Sequence, residues 1–242
     1  MKVYTYDRSE RGLAMAKRLN DKPPPGAESI RLFPIPTTKD GVTVNGGDMR
    51  ISDGLRELGD GELVIGYGIP EDIRNKLTRA GVSVADSAED EEFLVANAHL
   101  TALGALGKIL TGWKRAPGDI SIGILGYGRI GSALCRLLIP ICPRITVYTT
   151  DPDKQRELGS YGIRAPLVGQ WESLGELDLL INTAPAPLLD GVERPEGLRV
   201  MDLASGNYLA GWGEIEKYPS IPAVCYPESA GEIWYQSVLR LI

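Results

Sequence analysis

The chain has 242 residues, 43% of them hydrophobic, and a formal net charge of −6, enough for one large or two small cores. The acidic balance and the lack of a basic tract argue against nucleic acid or an anionic membrane as a partner. No run of about 18 apolar residues marks a membrane span, the N-terminus lacks an apolar signal-peptide core, and Cys135, Cys142 and Cys225 show no CxxC spacing, which argues against a zinc site or a disulfide frame and for a reducing, cytoplasmic setting.

Lys2 to Tyr6 reads as a strand, and Asp7 or Ser9 can cap a helix with Leu13, Met15, Ala16 and Leu19 on its apolar face. Pro23-Pro24-Pro25-Gly26 ends that helix. Ser29 to Phe33 is a second strand, closed by Pro34 and Pro36. A turn-rich loop, Thr37 to Asn45, leads to a helix around Ile51 to Leu58. Glu62 to Tyr67 is a strand, Glu71 to Ala80 a helix, and Val82 to Ala85 another strand. Such alternation predicts a small parallel sheet with helices around it. Gly66-Tyr67-Gly68 lacks a third glycine and reads as a turn at a strand end.

Glu89-Asp90-Glu91-Glu92 opens a long helix with acidic residues at its positive end. Phe93, Leu94, Ala96, Leu100, Leu103 and Leu106 give it helical apolar spacing, and Lys114 to Gly118 marks a boundary. Asn97, His99 and Thr101 fall on this helix. His99 is the only histidine; it reads either as a structural or surface residue or as a proton-transferring substrate contact.

The segment Ser121 to Leu138, SIGILGYGRIGSALCRLL, is the most informative. Its order is apolar strand, Gly-rich turn, helix, the setting that a dinucleotide fingerprint requires. Gly126 permits the tight turn, Gly128 admits a pyrophosphate to the backbone, and Gly131 lets helix and strand pack closely. With Tyr127, Arg129 and Ile130, these residues form the candidate cofactor loop. Arg144 to Tyr148 is the next strand, followed by Thr149 and Thr150 where an NAD site commonly places Asp or Glu. Threonine hydroxyls tolerate a 2′-phosphate, and Lys154 or Arg156 can add positive charge, so the pattern leans to NADP over NAD. Asp151 can instead cap the following helix.

Leu177 to Asn182 is a strand, and Thr183, Ala184 and Pro185 after it belong on the nicotinamide side. Leu198 to Leu203 gives another strand, then Ala204-Ser205-Gly206. The last strand is expected at Ala223 to Tyr226, and a final helix runs from Pro227 to Leu241. Ser205 and Ser229 are candidate catalytic residues beside His99, each equally readable as a cap. No hydrolase triad can be identified. The expected fold is α/β: two Rossmann-like or flavodoxin-like parallel-sheet domains joined by a long helix. Their bounds are 1–88, 89–113 for the helix, and 114–242, the final helix being able to pack back on the first domain, with the active site in the cleft between domains.

The pattern resembles the nucleotide-binding component of dipicolinate synthase, a relative of the D-2-hydroxyacid dehydrogenase architecture. The resemblance rests on Leu32-Phe33-Pro34-Ile35-Pro36 with Asp40-Gly41-Val42, Glu91-Glu92-Phe93, Asn97 to Ala102, Gly126 to Gly131, Asn182 to Ala186, Asp202 to Ser205, and Ser229-Ala230-Gly231. It implies NADP-linked oxidation of a dihydropyridine dicarboxylate in spore formation, in partnership with a second subunit. Asn97 and Thr101 are then candidate substrate contacts. This sequence departs from the family where Leu100 replaces a proline, Leu103 a glutamate and Glu228 a lysine, changes that weaken recognition of a dianion. Two readings stay open: an NAD(P)-dependent oxidoreductase acting on a small carboxylate, and a non-catalytic NAD(P)-binding sensor or partner subunit. Assembly into a homo-oligomer is also expected.

Overall fold

The computed structural model describes residues 1–242. In chain order its first elements are β1 (Lys2–Thr5), α1 (Glu10–Asp21), β2 (Ser29–Leu32), α2 (Ile51–Gly54), β3 (Glu62–Gly66), α3 (Glu71–Arg79), β4 (Ser83–Asp86) and α4 (Glu91–Gly112). There follow β5 (Ser121–Leu125), α5 (Arg129–Leu138), β6 (Arg144–Tyr148), α6 (Pro152–Ser160), β7 (Leu179–Asn182), β8 (Arg199–Asp202), β9 (Glu216–Lys217), α7 (Ile221–Cys225) and α8 (Pro227–Leu241). The chain forms two compact units, Met1–Asn97 with Pro222–Ile242, and Ala98–Ile221. The division falls inside α4, within the span 89–113 expected to join the two domains, and the last helix joins the first unit, because Trp234, Tyr235 and Val238 belong to that unit's core.

In the first unit four parallel strands lie in the order β1-β2-β3-β4. Alternation along the strands turns Ile30, Leu32, Leu63, Ile65 and Ala85 to one face, where Met15 and Leu19 of α1 and Trp234 and Val238 of α8 cover them. Val64 faces the other way, into Phe33, Val44, Ile51, Ile69, Leu77 and Val82. Ser9 caps α1 through Gly12 N, at 3.1 Å, and Glu10 sits at its positive end. The helix expected around Ile51 to Leu58 is a single turn, and Glu57, with φ 60°, lies outside it.

The second unit has five parallel strands in the order β6-β5-β7-β8-β9. Every residue of β7, and all but the first of β5 and β6, are buried, as in a parallel sheet covered on both faces. Segment 164–167 adds parallel bridges to the free side of β6, Thr146 to Arg164 and Thr149 to Leu167. With this rudimentary strand the order follows the dinucleotide-binding pattern, and the chain reverses direction between β5 and β7. The strand expected at Ala223 to Tyr226 is instead α7, from Ile221 to Cys225, and the last strand of the sheet is β9. Pro222 presets a helical φ, and of the apolar run Ala223 is buried while Val224 is 67% exposed.

By length and composition α4 is apolar enough to cross a membrane, with a mean hydropathy of 1.4 over its best 18-residue window. It is no unbroken apolar run, since Asn97, His99, Thr101 and Lys108 interrupt it. Its Ala- and Leu-rich composition serves packing: Phe93, Ala98, Ala102, Ala105 and Ile109 are all buried.

Candidate functional site in the second unit

The Gly-rich turn sits at the carboxyl end of β5, at the point where the sheet reverses. Two backbone bonds hold it there: Gly126 N donates to Tyr148 O, and Thr183 N donates to Leu125 O, both at 2.9 Å. Gly126 has φ +95°, a conformation that side chains oppose. A Cβ on Gly131 would run into the carbonyl of Gly126, so only glycine lets α5 start this close to the turn. Gly128 differs: a Cβ there would meet nothing within 4 Å. The space in front of it is open.

Gly128 is also the N-cap of α5, and no side chain caps this helix end. Its first turn holds no acidic residue, unlike those of α1, α3, α4, α6 and α8. Free N–H groups, the positive end of the helix and open space in front of a glycine together form an anion cradle suited to a pyrophosphate. Tyr127 and Ile130 are half-buried in the loop; Arg129 is exposed at the first helical position.

Thr183 performs a task that its sequence position did not disclose. Its hydroxyl lies 3.0 Å from Leu125 O and 3.2 Å from Gly126 O, so it clamps the glycine turn from behind instead of presenting itself to a ligand. Asn182, fully buried, donates to Asp202 Oδ1 at 2.9 Å and accepts from Ala184 N. Asp202 accepts in turn from Ala204 N. These two matched turns lead the chain away from the ends of β7 and β8, leaving Ala184 half-buried and Pro185 and Ser205 exposed.

At the end of β6 the two threonines separate. Thr149 is 3% exposed and its hydroxyl accepts from Asp151 N, which closes a local turn. Its hydroxyl thus takes part in the local backbone of the β6–α6 turn. Thr150 is exposed. Asp151 caps α6 by accepting from Asp153 N at 2.9 Å, and Pro152 begins the helix. Arg156 pairs with Asp153. Lys154 reaches the other way and donates from Nζ to Tyr127 O at 3.3 Å, linking the β6–α6 turn to the fingerprint loop.

The remaining sequence candidates lie on separate elements of the two units. Asn97 and Thr101 are one helical turn apart on α4, half-buried and buried respectively. His99 lies about 200° around the helix from Asn97 and is exposed. Ser229 belongs to the first unit, exposed in the first turn of α8. Beside it, Ala230 is fully buried and a Cβ on Gly231 would stand 2.9 Å from Ala14 Cβ. Ala230-Gly231 is thus a packing contact between α8 and α1. Sequence reading missed Arg11, buried in the first turn of α1; the sole available signal was a cation placed on an otherwise apolar face.

No protein-family model matches the sequence, and no curated protein matches it. Solved structures do. Dipicolinate synthase from Bacillus subtilis superposes with a TM-score of 0.73 at 16% identity, covering 100% of this chain and 95% of that one. The corresponding dipicolinate synthase component from Bacillus halodurans gives 0.77 at 18% identity, covering 99% and 97%. A transhydrogenase from Sinorhizobium meliloti gives 0.58 at 16% identity, over 78% of this chain and 70% of that one. The chain therefore has the fold of this dipicolinate synthase component over its full length.

Proposed function

We propose that the protein is an NAD(P)-dependent oxidoreductase that prefers NADP and acts on a small carboxylic acid. The observation that carries this reading is the uncapped N-terminus of α5 behind open space at Gly128, at the reversal point of the sheet. The loop from Gly126 to Gly131 would hold the pyrophosphate. When bound, the dinucleotide supplies a two-electron hydride carrier, and the protein contributes position and electrostatics. Ala184 and Pro185 would border the nicotinamide, with Asn182 and Asp202 fixing the loop that carries them.

The preference for NADP rests on Lys154. Its ammonium bridges the two turns that flank the adenosine ribose in this type of sheet, and Thr150 is exposed on the same turn. Asp151, the acid that would repel a 2′-phosphate, is directed to the backbone of α6. The dipicolinate synthase fold supports a small acid as substrate, as does the resemblance in sequence. Leu103 and Glu228, which replace the family's glutamate and lysine, favour a substrate other than that family's dianion or a nucleotide-binding protein without turnover.

Two variants test this. Gly128→Val fills the open space and is expected to weaken NADPH binding at least about tenfold while the fold is kept. Lys154→Met is expected to weaken NADPH about tenfold and NADH less than about threefold, since only NADPH carries the extra phosphate. Nucleotide fluorescence titration reads both. Unchanged NADPH affinity in Gly128→Val would remove the cofactor assignment, and equal losses for both nucleotides in Lys154→Met would remove the NADP preference. Saturable nucleotide binding without turnover of any carbonyl or imine acid would favour the non-catalytic reading.

A further inference from the structure

A cavity of about 230 Å³ opens at the amino edge of the second unit's sheet, the edge opposite the glycine turn. Strand register explains its lining. Ser121 of β5 is the partner of Arg144 on β6, Gly123 is the partner of Thr146, and Thr146 is bridged to Arg164 in the segment beside β6. Paired residues of a sheet point to the same face, so Ser121, Arg144, Thr146 and Arg164 stand together on one face. Glu176 and Leu177 close the cavity from the side of the covering layer. Leu177 rests on Gly123, where a Cβ would collide with it.

The charges on this wall are unequally engaged. Arg164 gives both Nη groups to the Glu176 carboxylate, the closer bond at 2.6 Å, and forms a closed pair with it. Arg144, which is exposed, spends only Nε, on Ser121 Oγ at 3.2 Å, so its Nη fork stays open. Asp178 acts on Arg144 electrostatically, yet its own oxygens are held by Arg115 at 2.7 Å and by Ser121 N at 2.8 Å. Between the two arginines Thr146 is 6% exposed, and its hydroxyl makes no hydrogen bond to the chain although the residue lines the cavity. A buried hydroxyl without a partner is costly to keep, and an acceptor entering from the cavity would satisfy it. Pro143 and Ile145 join Leu177 as the apolar part of the wall. The complement of this set is a small molecule with one carboxylate and an apolar body. A second carboxylate would meet Glu176 or Asp178 rather than a free cation.

We propose that this cavity binds a small apolar monocarboxylate, its carboxylate taking the Arg144 fork and accepting from the Thr146 hydroxyl. A guanidinium fork matches a carboxylate in planar geometry. The site does not depend on the oxidoreductase reading. Arg144 opens β6 and Tyr148 closes it, so the cavity and the nucleotide loop lie at opposite ends of one five-residue strand, roughly 13 Å apart along it. A ligand here is therefore no substrate for a hydride carrier at the carboxyl edge, and it occupies the protein together with the dinucleotide.

Calorimetry on the purified full-length chain tests this with three probes: benzoate, benzamide, which keeps the ring but carries no charge, and inorganic phosphate, an anion without an apolar body. Benzoate is expected to bind saturably, at least about tenfold tighter than either of the others, and to keep its affinity within about threefold when NADPH is saturating. Arg144→Gln is expected to cost at least about tenfold in benzoate affinity, and Thr146→Val about threefold. No saturable binding to the folded wild type, benzamide or phosphate bound as tightly as benzoate, or displacement of benzoate by NADPH would each overturn the proposal. So would wild-type benzoate affinity in Thr146→Val, a readout that remains if Arg144→Gln fails to fold. Benzoate binding as described, in a protein that binds no NADPH, would reject the oxidoreductase reading and sustain this site.

Discussion

Cys135 shows how a single side chain ties the glycine loop's helix to the conditions the protein tolerates. It is 1% exposed on the inner face of α5, and burial pushes its thiol up to about 11, against an ordinary value of 9.0. The neutral thiol is thus favoured by folding. That contribution is complete below pH 9 and is lost as pH rises from about 9 to 11, because the unfolded chain releases the proton first. We expect stability to fall by about 2–3 kcal/mol across that window, and Cys135→Ser, measured by urea denaturation at successive pH values, to flatten the fall. Tyr148, fully buried beside Ser173, has its pKa raised by burial too and acts in the same direction. At this scale the fingerprint glycines were legible, since a tight turn and a close helix start depend on neighbours a few residues away. The burial of Thr149 and its bond from Asp151 N were not read from the sequence, although Asp151-Pro152 after it already signalled a helix start. Arg11 was not legible: the ring it lies over, Trp234, is more than two hundred residues along the chain.

Between elements, the contact of α1 with α8 joins the two ends of the chain. Gly231 lets the helices approach, with Ala14 and the backbone of Met15 against it. Around this contact Arg18 pairs with Glu232 at 2.8 Å and lies over the ring of Tyr235, whose hydroxyl donates to Lys22 O at 2.8 Å. Gly231→Val would force the helices apart and is expected to destabilise by about 1–3 kcal/mol, the range for overpacking. Urea denaturation checks this; a change under about 0.5 kcal/mol, the level of an ordinary surface substitution, would show that the helices do not pack as described. The strands and long helices were legible from alternation and apolar spacing. The segment 221–226 was not, because an apolar run this short fits a strand as well as a helical turn. Ser229 was read as a candidate catalytic residue; the two residues after it, Ala230 and Gly231, serve helix packing, a role that depends on a partner far away in sequence.

For the whole molecule, acid is expected to be the weak side. Asp90 is driven up by burial, but hydrogen bonds from Arg240 and Ser237 outweigh that and hold it below the ordinary carboxylate range. Asp178 follows the same balance, with Ser121 N and Arg115 as its donors. Hydrogen bonding from Gln236 and then Arg18 lowers Glu232 despite partial desolvation. Each of these groups stabilises the fold above its unfolded value, near pH 4, and the contribution is lost as pH falls through the lowered folded value. We therefore expect the melting temperature to hold through pH 5 and to decline steadily below pH 4. A melting temperature that rose on acidification would contradict these carboxylate assignments. The parallel order of both sheets was legible from the strand and helix alternation. The helix that joins the two units was legible as one long apolar pattern between two α/β alternations, and the chain divides within it, at Asn97.

The central claim, that the α5 terminus is a dinucleotide site preferring NADP, is tested most directly by titrating the purified protein with NADPH and with NADH while following nicotinamide fluorescence. Saturable binding of both, NADPH the tighter by about tenfold through its extra phosphate, is the expected result. No binding of either nucleotide to the folded protein would contradict the claim, and NADH bound more tightly than NADPH would contradict the part assigned to Lys154.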